Sequence, residues 1–144
     1  MIILGKLYEF NLHVEKIVNI HILFIRSVVE QSCVVWHSSL CEDDHTALER
    51  VQKAALRIIL DCEYTDYSSA LLLTNLETLR SRRKHLCLKF AQKCVKTGKL
   101  SDLFPINRKT IHTRPHEKFH AISAKTDRLA RSTVPYLQRL LNQH

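Results

Sequence analysis

Between about Leu12 and Gln31, the apolar residues Ile17, Ile20, Phe24 and Val28 recur at intervals of three and four. That period predicts one helix, apolar around much of its circumference and therefore central. The stretch "SCVVWHSS" breaks the period and reads as a loop or a last helical turn, with Trp36 as a packing anchor. A second helix is predicted from the stripe Leu48, Val51, Ala55 and Ile59. Glu49, Lys53 and Arg57 step along another face in the favourable acid-before-base order. Thr46-Ala-Leu-Glu49 matches a capping box, which puts the adjacent Asp43 and Asp44 at the entrance of this helix. Further on, a short helix is expected from about Asp66 to Leu73. A longer one follows from near Leu76 to Lys96, stopped by Gly98, with Leu79, Leu86, Cys87, Phe90, Ala91 and Cys94 as its apolar stripe. After "LSDLFP" periodicity fades, and "INRKTIHTRPHEKFHAISAKTDR" reads as a basic loop or arm. A last short helix starts at Ser132 or Thr133, with Pro135 in its first turn.

No glycine or proline occurs between Gly5 and Gly98. Sheets need tight turns that usually recruit one of them, so the expected class is all-α. The expectation is about five helices in a single small bundle-like domain over 1–104. A basic loop follows at 105–126, and a helical tail at 127–144. The most apolar stretch, "IVNIHILFIRSVV", is interrupted by Asn19, His21 and Arg26 and is too short to span a bilayer. Five cysteines, an odd number, and an N-terminus of "MIILGK" suit a reducing, intracellular setting.

Charge sharpens this picture. Residues 1–79 hold six Lys/Arg against eleven Asp/Glu, whereas residues 80–144 hold sixteen against three. The second half therefore suits a polyanion, nucleic acid first. On the long helix, Arg82, Lys89, Lys93 and Lys96 fall on one face away from the apolar stripe. Such a row fits a phosphate backbone. The candidate contact residues are Arg80, Arg82, Arg83, Lys84, Lys89, Lys93 and Lys96, with Arg108, Lys109 and Arg114 as an accessory arm. Phosphate contacts position a protein without reading bases, so binding is expected to tolerate any sequence.

Catalytic chemistry finds little support. A metal-binding Asp pair of a polymerase belongs at a tight strand-to-strand turn, and Asp43-Asp44 is flanked by Glu42 and His45 ahead of a helix. His112, His116 and His120 recur every four residues, but Pro115 interrupts them and no Cys-x-x-Cys accompanies them. Two glycines can hardly build a phosphate loop. Tyr64 and Tyr67 read as a packing pair at a helix entry rather than a base-stacking platform. No cofactor or metal is expected.

Several segments, in order, resemble the region that follows the catalytic palm in reverse transcriptases of jockey-like non-LTR retrotransposons. These are "FIRSVVEQSCVVWHSSL", "LERVQKAALRIIL", "YSSALLLTNLETLRSRRKHLCLKFAQKC" and "KTDRLARSTVPYLQRLLN". Arg26, Ser27, Val28, Glu30, Val35 and Trp36 fit the family's first pattern. Leu48, Glu49, Arg50, Val51, Gln52 and Ala55 fit the second, and Ala70, Leu71, Leu76, Thr78, Leu79, Arg82 and Arg83 the third. The resemblance implies a thumb-like helical region that grips the template–primer duplex, an RNA–DNA or DNA duplex, beside upstream polymerase domains. It also implies a truncated element copy that starts within internal sequence, lacks palm and fingers with their metal aspartates, and is not catalytic alone. A nuclear location is a further implication. The rival reading is a helical protein–protein module, with the first helix and Trp36 as its docking face, or an inert remnant.

Overall fold

The computed structural model describes residues 5–6, 12–106, 119–120 and 122–143. The fold is all-α. Its helices are α1 (Val14–Ile20), α2 (Ser27–Glu30), α3 (Cys33–Trp36), α4 (Glu42–Leu60), α5 (Tyr67–Leu73), α6 (Leu79–Thr97), α7 (Asp127–Ala130) and α8 (Thr133–Asn142). The pieces exceed the expected five because the first helix is subdivided, the "SCVVWHSS" stretch is helical, and the short α7 precedes the last helix. Ser32 takes a left-handed backbone conformation (φ 53°), ends the first helical run, and α3 with a 3-10 turn His37–Ser39 follows. Gly98, at φ +68°, stops α6 in the conformation that glycine adopts without a Cβ clash.

Contacts group the chain into two compact units. The first comprises 1–31 and 41–82; the second comprises 32–40 and 83–144, so the boundary falls inside α6. This differs from the expected division at 104/105, because Phe104, Phe119 and α8 share one core with α6.

In the first unit, α1 packs on α4 through Ile17, Val18, Ala55, Leu56, Ile59 and Leu60, with Ala70 of α5 joining them. Between α1 and α2 the chain forms a π-helical segment, His21–Arg26. Its i→i+5 turn brings His21 and Arg26 onto the buried side together, which a regular helix does only for residues three or four apart. The same shift turns Leu23, Phe24 and Val28 outward, each about 70% exposed at 67%, 70% and 69%. The run is therefore not buried all round, and the expected stripe holds only as far as Ile17 and, half-buried, Ile20.

The α4 entrance lies four residues before the predicted capping box. Cys41 precedes the helix, and both its backbone N–H and its thiol donate to Asp44 Oδ2 at 3.0 Å. Those two donors, the thiol first, hold the Asp44 carboxyl below the usual carboxylate range. Thr46 instead donates to the Glu42 carbonyl at 2.9 Å. Asp43 and Asp44 thus do sit in the first turn of a helix, where the macrodipole favours acids. Along α4, Lys53 lies 4.9 Å from the Tyr67 ring centroid and Arg57 lies 5.4 Å from that of Tyr64. The two tyrosines are packing residues over the charged face of α4.

His21 is buried, and neither of its ring nitrogens has a hydrogen-bond partner among the described residues. Burial first, then the Arg26 guanidinium, hold the imidazolium below the usual histidine range. In the unfolded chain the group titrates near about 6.5. The His21 contribution is therefore intact above that pH and is lost as pH falls towards the lower folded value. A His21→Leu variant is expected to gain about 1 kcal/mol at pH 7, because an unpaired polar group leaves the core. It should also lose less stability than the parent between pH 7 and 5.5. Thermal melts across that range check both, and parallel curves for the two proteins would contradict the assignment.

In the second unit, Cys87, Ala91 and Cys94 of α6 face Leu137, Leu140 and Leu141 of α8, with Phe104 and Phe119 completing the core. α3 joins this unit through Val34, half-buried against the same cluster, and through a hydrogen bond from Thr133 to the Val35 carbonyl at 2.8 Å.

Candidate nucleic-acid interface

Seven of the ten sequence-predicted contact residues lie on α6, and the structure separates them into three environments. Lys89, Lys93 and Lys96 are exposed on the side of the helix opposite Cys87, Ala91 and Cys94. The first and last are seven positions apart, about 10 Å at the α-helical rise. His85 and Gln92 share that outward arc, and His85 is also exposed. Among the described residues no carboxylate lies within ion-pair distance of Lys89, Lys93 or Lys96. Lys84 is equally exposed and equally unpaired among the described residues, but the helical period places it on another flank.

The arginines behave differently. Arg80 forms a two-pronged pair with Glu42, at 2.7 Å and 2.8 Å, while its backbone N–H donates to Glu49 Oε1 at 2.8 Å. Arg82 is half-buried, with Glu30 Oε1 at 3.6 Å and Glu77 Oε1 at 3.8 Å. Arg83 is 0% exposed and stacks over Trp36, with 5.7 Å between the guanidinium carbon and the ring centroid. Its expected phosphate contact is therefore corrected: a side chain sealed from solvent against an indole cannot reach a ligand on the surface. Arg80 and Arg82 reach solvent only in the company of carboxylates.

Arg108, Lys109 and Arg114 fall outside the described residues, as do His112 and His116. The chain on either side of them is held firmly, however. Ile106 and Phe119 form an antiparallel bridge, and His120 N–H donates to the Pro105 carbonyl at 2.8 Å. Asn142 of α8 accepts from Phe119 N–H at 2.9 Å and donates to its carbonyl at 3.0 Å. Gln138, one turn earlier, donates to the Leu103 carbonyl at 2.7 Å and accepts from Ile122 N–H at 2.9 Å. Sequence reading missed these two amides. Their only signal was a pair of amide side chains four apart beside the leucines of that helix.

Sorted by unit, the contrast seen along the sequence narrows but persists. The second unit holds 14 Lys/Arg against three Asp/Glu, a net of +11, and the first holds eight against eleven, a net of −3. The Lys89–Lys96 face thus belongs to the unit that carries the positive charge of the chain.

A cavity of about 260 Å³ opens in the first unit between Glu42, His45, Glu49, Lys53, Tyr67 and Arg80. Its acids are engaged: Glu42 spends both oxygens on Arg80, and Glu49 accepts from Arg80 N–H and, at 2.5 Å, from Tyr67. Burial, then this hydrogen bond, push the Tyr67 hydroxyl well above its usual range. Among the described residues no cluster of three or more His, Cys, Asp or Glu is placed to hold a metal, and no single helix is long and apolar enough to cross a membrane. No protein-family model, no curated protein and no solved structure matches the chain.

Proposed function

We propose that this chain is a non-catalytic helical module that holds nucleic-acid duplexes through sequence-tolerant phosphate contacts. The role is the one expected of the thumb-like region after the palm of a non-LTR retrotransposon reverse transcriptase. On this reading its partners are an RNA–DNA or DNA duplex and the upstream polymerase domains of such an element, in the nucleus. The observation that carries it is the row Lys89, Lys93 and Lys96, exposed and without carboxylate partners among the described residues, on a unit of net charge +11. Lysines on a helix face offer point charges rather than base-reading forks, which fits backbone contact.

The test is fluorescence-anisotropy binding to a short RNA–DNA duplex across a salt series. Replacing Lys89, Lys93 and Lys96 by glutamine removes three contacts, and the log–log salt slope is expected to flatten by roughly 2–3 units. Lys84→Gln, on the other flank, serves as the internal comparison and should leave the slope nearly unchanged. Equal slopes for the triple variant and the parent would mean that these lysines are merely solvated.

One observation favours a second reading. Leu23, Phe24 and Val28 form an exposed apolar face on the first unit, which suits a protein partner. Association that rises with concentration and ignores salt, and that Phe24→Ser abolishes, would support that docking function instead.

A further inference from the structure

The second unit contains five Phe, Tyr and Trp residues: Trp36, Phe90, Phe104, Phe119 and Tyr136. Phe104 and Phe119 lie in its core, while Trp36 and Tyr136 are half-buried against Arg83 and His37. Phe90 is the exception. Periodicity places it in the apolar stripe of α6, yet it is 39% exposed and belongs to neither core cluster. No other ring and no cation stacks on it among the described residues. A ring left at the surface in this way keeps a flat apolar face open to a flat apolar partner.

Its neighbours decide which partner. Phe90 follows Lys89 by one residue and precedes Lys93 by three, and residues three apart are surface neighbours on a helix. Phe90, Lys93 and Lys96 recur at steps of three, so one oblique row carries a ring and then two ammonium groups. From this open ring at the end of the lysine row, we infer that Phe90 is a base-stacking residue and that the ligand of this face is a duplex carrying an unpaired strand. The inference rests on the nucleic-acid reading and narrows its substrate. Bases inside a duplex cover one another's faces, whereas an unpaired base offers one. That base is joined to its phosphate through a single sugar, so a ring and an ammonium group side by side hold one nucleotide at both ends. Stacking tolerates any base, because each has a π-face, and this agrees with contacts that read no sequence.

A lipid surface fits the same residues less well. Helices that lie on membranes bury a broad apolar face. On α6 that face, Cys87, Ala91 and Cys94, is already packed inside the protein. What remains beside the lysines is Phe90 and, one turn before it, the half-buried Leu86.

The experiment gives the full chain two RNA–DNA duplexes with DNA extensions of equal length, one oligothymidylate and one abasic. They carry the same phosphates and differ only in the bases of the extension. Fluorescence anisotropy is expected to show a preference of about 5-fold or more for the oligothymidylate probe. Phe90→Leu should abolish that preference and leave the affinity and salt slope for the abasic probe unchanged, whereas Phe90→Tyr should keep it. A 2-aminopurine in the extension should lose fluorescence on binding the parent but not on binding Phe90→Leu. Equal affinity of the parent for both probes, or a preference that survives in Phe90→Leu, would overturn the inference. A lysine-dependent salt slope for the abasic probe would then leave the wider reading standing. Binding to phosphatidylserine vesicles that Phe90→Leu weakens would overturn the inference in favour of a lipid surface. A parent that binds neither probe removes both readings.

Discussion

Replacing Glu30 by glutamine is expected to lower the unfolding free energy by about 3–5 kcal/mol, the usual consequence of removing one partner from a buried ion pair. Glu30 Oε1 lies 2.7 Å from Arg26 Nε, and their side chains are only 15% and 8% exposed. Arg82 Nε stands 3.6 Å from the same oxygen. Glutamine keeps the volume but removes the charge, leaving Arg26 ionised and buried because arginine does not deprotonate. Packing loss is thereby excluded as the cause. A double replacement, Arg26→Met with Glu30→Leu, should recover most of the loss, since well-packed apolar pairs often match buried ion pairs. Urea denaturation gives the readout: the midpoint should fall with little change in slope. A midpoint within error of the parent would show that Arg26 finds solvent or another partner.

Arg83→Ala is expected to cost about 3 kcal/mol of stability and to leave the salt slope of duplex binding unchanged. The side chain is wholly buried, so truncation removes both the packing of its stem and the stack on Trp36. Lysine should rescue only part of this, because an ammonium lacks the planar surface that lies over the indole. The comparison with the lysine face is the informative one. Loss of Lys89, Lys93 and Lys96 should change binding and spare stability, whereas loss of Arg83 should do the reverse. A slope that dropped by about one unit in Arg83→Ala, with an unchanged melting curve, would put Arg83 back among the phosphate contacts.

The candidate site was legible where the local period alone decides exposure. Lys89, Lys93 and Lys96 lie opposite Cys87, Ala91 and Cys94, and once α6 forms its geometry sends the lysines outward. The arginines were not legible, because their surroundings come from far along the chain. Arg80 meets Glu42, 38 residues away, and Arg82 meets Glu30. Arg83 meets Trp36, a residue that periodicity marked only as an anchor without a partner. Glu49 shows the same limit from the other side. It looked like a capping acid, yet it serves Tyr67 and the first turn of α6.

By itself, then, the sequence determined the all-α class, the stops at Ser32 and Gly98 within a residue or two, and the division of charge between the two ends of the chain. These follow from short-range rules: apolar period, the scarcity of glycine and proline, and acids at helix entrances. Tertiary structure decided which face of the first helical run is inside. The π-turn at His21–Arg26 rotates every later residue of that run, so Phe24 and Val28 point out while Arg26 points in. A regular 3.6-residue period contains no term for such a turn. It arises here with the burial of Arg26, and Arg82 reaches the same Glu30 oxygen from far along the chain, a contact that exists only once the chain has folded.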